Sequence, residues 1–153
     1  MHIMMTDIAD LLDGLDFFND FAYGELETLA RHLKYVTAKQ GEVIFQEGDP
    51  GSYMLILVEG RISIAKGGES GHHLLSYESK GRIVGEMALL DRERRSATCT
   101  AATDCQLLTL DHDGLERLST AQPLLAYRFM FSMARLLSRR LRRTSGVLAE
   151  YLH

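Results

Sequence analysis

Apolar positions along the chain change period twice, and each change predicts a new kind of element. In the first thirty-odd residues they recur at helical spacing. Thr6 and Asp7 precede Ile8, Leu11 and Leu12, and Gly14 follows, which predicts a short helix with a capping residue in front and glycine behind. Phe17, Phe18 and Phe21 come next and read as an aromatic packing cluster. Leu26, Leu29, Ala30 and Leu33 form a second amphipathic stripe, predicting helix over about 23–33.

From Lys34 the pattern shortens to β-type runs punctuated by glycine, at 35–38, 43–45, 53–58, 61–65 and 72–77. Residues 82–85 lead into the stretch that carries the chemistry, and runs at 97–101 and 105–110 follow it. Ile62 and Ile64 alternate with polar or small neighbours, as in a strand with one face inward. Gly48-Asp49-Pro50-Gly51-Ser52 is a turn, with proline fixing one torsion and glycine freeing another. So many short strands at close spacing predict a β-roll or jelly roll, mainly β with flanking helices, whose concave side could hold a ligand.

Helical spacing then returns. Asp111 is placed to cap a short helix ending at Ala121, and Pro123 ends or redirects it. A long C-terminal helix is expected over 124–152. Met130, Ala134, Leu137, Leu141, Thr144, Leu148 and Tyr151 alternate at spacings of four and three, a heptad seam. The expectation is one domain over 1–153, with N-terminal helices at 1–33, the β-roll at 34–110, a short helix at 111–122 and the long helix at 123–152. The seam predicts a homodimer through that helix. Arg135, Arg139, Arg140, Arg142 and Arg143 fall outside the seam and read as its solvated face.

Composition narrows the class without choosing a function. The 153 residues are 46% hydrophobic and 25% charged, the balance of a globular domain. A formal net charge of −4 gives no overall attraction to nucleic acid. The N-terminus lacks a signal-peptide pattern, and no run is long enough to span a membrane, so a cytoplasmic protein with no membrane association is expected. Cys99 and Cys105 form neither a disulfide framework nor a zinc pattern. Few residues follow Ser145, so no DNA-binding domain is expected and an unidentified protein must read the output.

The chemistry concentrates in Gly85-Glu86-Met87-Ala88-Leu89-Leu90-Asp91-Arg92-Glu93-Arg94-Arg95-Ser96-Ala97-Thr98. A glycine and a carboxylate open a short apolar turn, whose first amides suit a phosphate. Arginine supplies a planar, always-charged fork for phosphate oxygens. A carboxylate beside a phosphate must serve another group, and a ribose hydroxyl is the natural one.

These residues resemble the phosphate-binding cassette of cyclic nucleotide-binding domains, the family of the bacterial cyclic-AMP receptor proteins and the regulatory subunits of cyclic-AMP-dependent kinase. The resemblance extends upstream through Gly41 to Asp49, Tyr53, Gly60 and Ile64, and covers roughly residues 15 to 150. It implies that Glu86 takes the ribose 2′-OH and Arg95 the cyclic phosphate. Gly85 opens the cradle, and Ser96 with the amides of Met87, Ala88 and Ala97 completes it. Arg139-Arg140-Leu141-Arg142-Arg143-Thr144-Ser145 resembles the central helix of the receptor proteins, which implies that Thr144 and Ser145 contact the base, one of them from a neighbouring subunit. Thr144 reads equally well as a polar residue that fixes register in the seam. Gly146 departs from a strong helix pattern.

The function expected is a non-enzymatic regulatory domain that binds a cyclic purine nucleotide, cyclic AMP over cyclic GMP, with no cofactor or metal. Occupancy would be transmitted through the long helix. The alternative is a nucleotide-free dimerisation or docking module of the same fold. A cupin-type metalloenzyme is disfavoured, because adjacent His72 and His73 on a strand point to opposite faces.

Overall fold

A computed structural model describes residues 5–68 and 71–152, with side chains over 7–67 and 71–146. The chain divides into two compact units, with the boundary between Glu116 and Arg117.

The first unit opens with helix α1 (Met5–Asp13), a 3₁₀ turn at Asp16–Phe18 and helix α2 (Tyr23–Ala30). Helix α1 starts at Met5, so Thr6 is inside it rather than ahead of it. Its inward stripe is Ile8, Ala9 and Leu12. The phenylalanine cluster forms as expected: Phe17 and Phe18 stand edge to face at 4.8 Å, and Phe18 and Phe21 lie 5.8 Å apart. At the start of α2 the Glu25 carboxylate accepts the Ala22 N–H at 2.9 Å, satisfying a donor that the helix leaves orphaned.

Among the described residues eight strands follow: β1 (Lys34–Ala38), β2 (Val43–Phe45), β3 (Tyr53–Glu59), β4 (Ile62–Gly68), β5 (Gly71–Glu78), β6 (Ile83–Val84), β7 (Thr98–Ala101) and β8 (Cys105–Asp111). They form two four-stranded antiparallel sheets in the orders β1-β8-β3-β6 and β2-β7-β4-β5. Phe45, Ile62, Cys99 and Ala101 from one sheet meet Leu55, Leu57, Cys105 and Leu107 from the other in a single core cluster. Burying the Phe, Ile and Leu side chains among them contributes about 1.5–3 kcal/mol each, so this layer holds the two sheets face to face as a roll. Between β6 and β7 the chain crosses from one sheet to the other through helix α3 (Glu86–Asp91).

Helix α4 (His112–Ala121) begins where expected: the Asp111 carboxylate accepts the Gly114 N–H at 2.7 Å, an N-cap bond. Helix α5 (Pro123–Leu152) forms the bulk of the second unit, and Pro123 is its first residue. Its exposed apolar row is Leu124, Tyr127, Phe131 and Leu141, with the Tyr127 and Phe131 rings 6.0 Å apart. Of the expected seam, Ala134, Leu141 and Thr144 are exposed and Met130 and Leu137 are half-buried, so the exposed row shares Leu141 with it. The seam's Leu148 and Tyr151 side chains lie outside the described residues.

Candidate ligand site

Among the described residues the buried charged side chains are Glu86 (6% exposed) and Arg95 (4% exposed). An ionised group taken out of water is costly unless its surroundings compensate it, so these two positions need a reason. Both lie on the segment that joins the two sheets.

Arg95 shows how a cation is held ready there. Its Nη2 donates to the Tyr53 carbonyl at 2.5 Å and its Nη1 to the Gly85 carbonyl at 3.3 Å. The guanidinium carbon sits 4.1 Å from the centre of the Phe45 ring and 4.7 Å from that of Tyr53. Two aromatic faces against one cation contribute about 0.5–2 kcal/mol apiece. Burial nevertheless lowers the Arg95 pKa from its ordinary value, while Tyr53, Cys99, Asp49 and Glu86 act in the other direction. Among the described residues the buried Nε has no hydrogen-bond partner. A guanidinium bonded to carbonyl dipoles and flanked by rings keeps its full positive charge for an anion.

The backbone around it is pinned. Arg95 N–H donates to the Asp49 carbonyl at 2.8 Å, and Gly48 N–H donates to the Arg95 carbonyl at 2.8 Å. Arg94 reaches back through Nη1 to the Gly48 carbonyl at 2.8 Å. The turn at 48–52 therefore fixes where Arg95 leaves the loop. At the other end, Gly85 caps α3 with φ 80°, and a methyl group there would overlap Arg95 Nη1. Glycine is required at this position for both reasons.

The sequence-predicted residues of the cassette all lie in the first unit, with the Arg95 side chain against Gly85. Gly85 and Glu86 start α3, and Met87 and Ala88 follow in its first turn, where amides have no intrahelical acceptor. Ala88 is buried and Met87 is exposed. Ser96 is exposed and Ala97 half-buried just before β7. Thr144 and Ser145 lie on α5 in the second unit, both exposed. The Thr144 hydroxyl donates to the Arg140 carbonyl one turn back, at 3.0 Å. Phe45 as a wall of the cation was not foreseen. Its only sequence signal is an aromatic residue ending a strand just before a glycine-containing turn. Adjacent His72 and His73 face Gly67 and Lys66 across β4, on alternate sides of the sheet.

Residues 35–122 match the model of the cyclic nucleotide-binding domain. The chain is 26% identical over 144 residues to a CRP-like cAMP-activated global transcriptional regulator of Mycobacterium tuberculosis, covering 94% of this chain and 62% of the relative. It is 30% identical to a cyclic AMP receptor protein of Thermus thermophilus over 86% of this chain and 59% of the relative. A solved cyclic nucleotide-binding domain from Methylobacillus flagellatus superposes with a TM-score of 0.81 at 26% identity, covering 93% of this chain and 80% of that one. The chain thus spans about six-tenths of the length of these curated relatives. That overturns the expectation of a receptor without a DNA-binding domain. The Mycobacterium relative is a transcriptional regulator that extends well beyond the shared part, so the point where this sequence stops does not speak against such a domain. Among the described residues no helix is long and apolar enough to cross a membrane.

Proposed function

Because the chain belongs to the cyclic nucleotide-binding domain family, we propose that it is a receptor for a cyclic purine nucleotide, cyclic AMP in preference to cyclic GMP, and that it acts by binding rather than by catalysis. The observation that carries this reading is the Arg95 guanidinium, buried between Phe45 and Tyr53 with Nε unpartnered among the described residues. A singly charged phosphodiester fits it: one anion offsets one cation, and the amides of Met87, Ala88 and Ala97 with the Ser96 hydroxyl supply further donors. Glu86 accepts from the ribose 2′-OH, a role that a second phosphate-binding group could not share. The preference for cyclic AMP draws support from two relatives whose names specify that ligand.

Transmission toward the C-terminal helix has a path within the first unit. Tyr53, whose carbonyl holds Arg95, stands opposite Asp111 in the β3–β8 register. Asp111 in turn caps α4. A ligand that draws on the guanidinium acts on Tyr53 and, through the strand pair, on the first turn of the helix that leads to α5.

Calorimetric titration of the purified chain with cyclic AMP and cyclic GMP tests the reading. Saturable heat with one site per chain and a rise in melting temperature are expected. No heat and no stabilisation at high micromolar ligand would leave the docking-module alternative standing. Slower amide exchange at the start of α4 on ligand addition is the sign of transmission.

A further inference from the structure

On the sheet ordered β2-β7-β4-β5, the pairing register lays one cross-strand row beneath the Arg95 stack. Phe45 faces Cys99, Cys99 faces Ile64, and Ile64 faces Ser76. Directly opposed residues share a face of the sheet. Phe45 and Cys99 belong to the core cluster and Ile64 packs against it, so Ser76 lies on the same inner face. Ile62, fully buried, faces Glu78, which places that carboxylate on the inner face as well. Three inter-strand steps separate Phe45 from Ser76, about 14 Å at the usual spacing. That is the scale of a nucleotide laid with its phosphate on Arg95 and its base toward β5.

The far end of this row is polar where the rest is apolar. Ser76 Oγ donates to Glu78 Oε1 at 3.0 Å, and Arg82 Nε pairs with Glu78 Oε2 at 3.1 Å. The Arg82 main chain is held at this sheet edge, where its carbonyl accepts the Leu57 N–H at 2.9 Å. The carboxylate is 21% exposed, so it is neither sealed in the core nor free in solvent. Two partners hold it, on the inner face that Phe45 and Cys99 also line.

We propose that Glu78 is a specificity-determining residue that reads the 6-position of the purine. This rests on the receptor reading above. An ionised carboxylate can only accept. Adenine carries a donor amino group at that position, whereas guanine carries an acceptor oxygen there. Glu78 accepts from the 6-amino group and repels a 6-oxo group, while Ser76 and Arg82 prevent it from turning away.

The test is calorimetric titration of the full chain with three cyclic nucleotides: cyclic AMP, cyclic GMP and cyclic inosine monophosphate, which has a 6-oxo group and no amino group. The wild type is expected to bind cyclic AMP about tenfold or more tightly than either 6-oxo ligand. Glu78→Gln, whose amide can present its N–H₂ to an oxo group, should bring those ratios under about threefold. Should that variant not fold, Ser76→Ala, which releases the carboxylate, should lower the same ratios. Ratios unchanged in the variant, or a wild type that prefers cyclic GMP, would overturn the proposal while leaving the receptor reading intact. Failure of all three ligands to bind would overturn the receptor reading and this inference with it.

Discussion

Gly51 and Ala88 approach so closely that a methyl group on Gly51 would overlap the Ala88 side chain and lie 2.7 Å from the Glu93 carbonyl oxygen. Gly51 belongs to the turn that precedes β3, and Ala88 to the helix that carries the candidate ligand donors. Neither obstacle can rotate away, one being a methyl group and the other main chain. Gly51→Ala should therefore overpack the junction and destabilise the protein by about 1–3 kcal/mol. Urea unfolding measures this, and a change below about 0.5 kcal/mol would show that the two segments separate without cost.

Arg95→Ala should remove most of the ligand affinity. Truncating one partner of a buried charge pair costs about 2–5 kcal/mol, which corresponds to about thirty-fold or more in dissociation constant. Arg95→Lys should also bind poorly, because an ammonium does not reproduce the planar contact with Phe45 and Tyr53 or the two carbonyl bonds. Titration with cyclic AMP decides it: a loss under threefold would make the guanidinium a bystander.

Glu86→Gln should cost less than Arg95→Ala and should relax selection for the ribose. The measurement is the ratio of affinities for cyclic AMP and its 2′-deoxy analogue, which should fall in the variant. An unchanged ratio would remove Glu86 from the ribose contact.

Cys99 gives a pH signature. Burial first, and the neighbouring Cys105 second, push its thiol up to about 12 from an ordinary 9.0. Between those values the unfolded chain loses a proton that the folded chain keeps, so stability falls as pH rises. At pH 10.5 the Cys99 contribution to that loss is about 2 kcal/mol. Cys99→Ala should pay its packing cost at every pH yet show a shallower decline above pH 9. Parallel stability curves for the two proteins would contradict the shift.

The strands could be read from residue pattern, because turn glycines and alternation are local signals, and Glu86 and Arg95 stood out because the cassette motif is contiguous, though their burial did not. The Glu78 cluster could not be read that way. Its place on the inner face depends on a register shift after Ile64, which is set when the strands pair. The long helix forms over the expected span, but which of its faces stays exposed was not legible. It carries apolar residues in more than one heptad row, and spacing does not distinguish the row through Met130 and Leu137 from the exposed row through Tyr127 and Phe131. Arg92 shows a further limit: it ends α3 in the left-handed region at φ 59°, a conformation that nothing in an arginine announces.

Strand β6 lies in one sheet and β7 in the other, so residues 85–97 are a strap anchored to two layers. A guest gripped near both ends of that strap would act as a brace between the layers. Its arrival would register as stiffness, and lengthening the strap by one residue at Glu93 would slacken the brace while leaving the grips themselves unaltered.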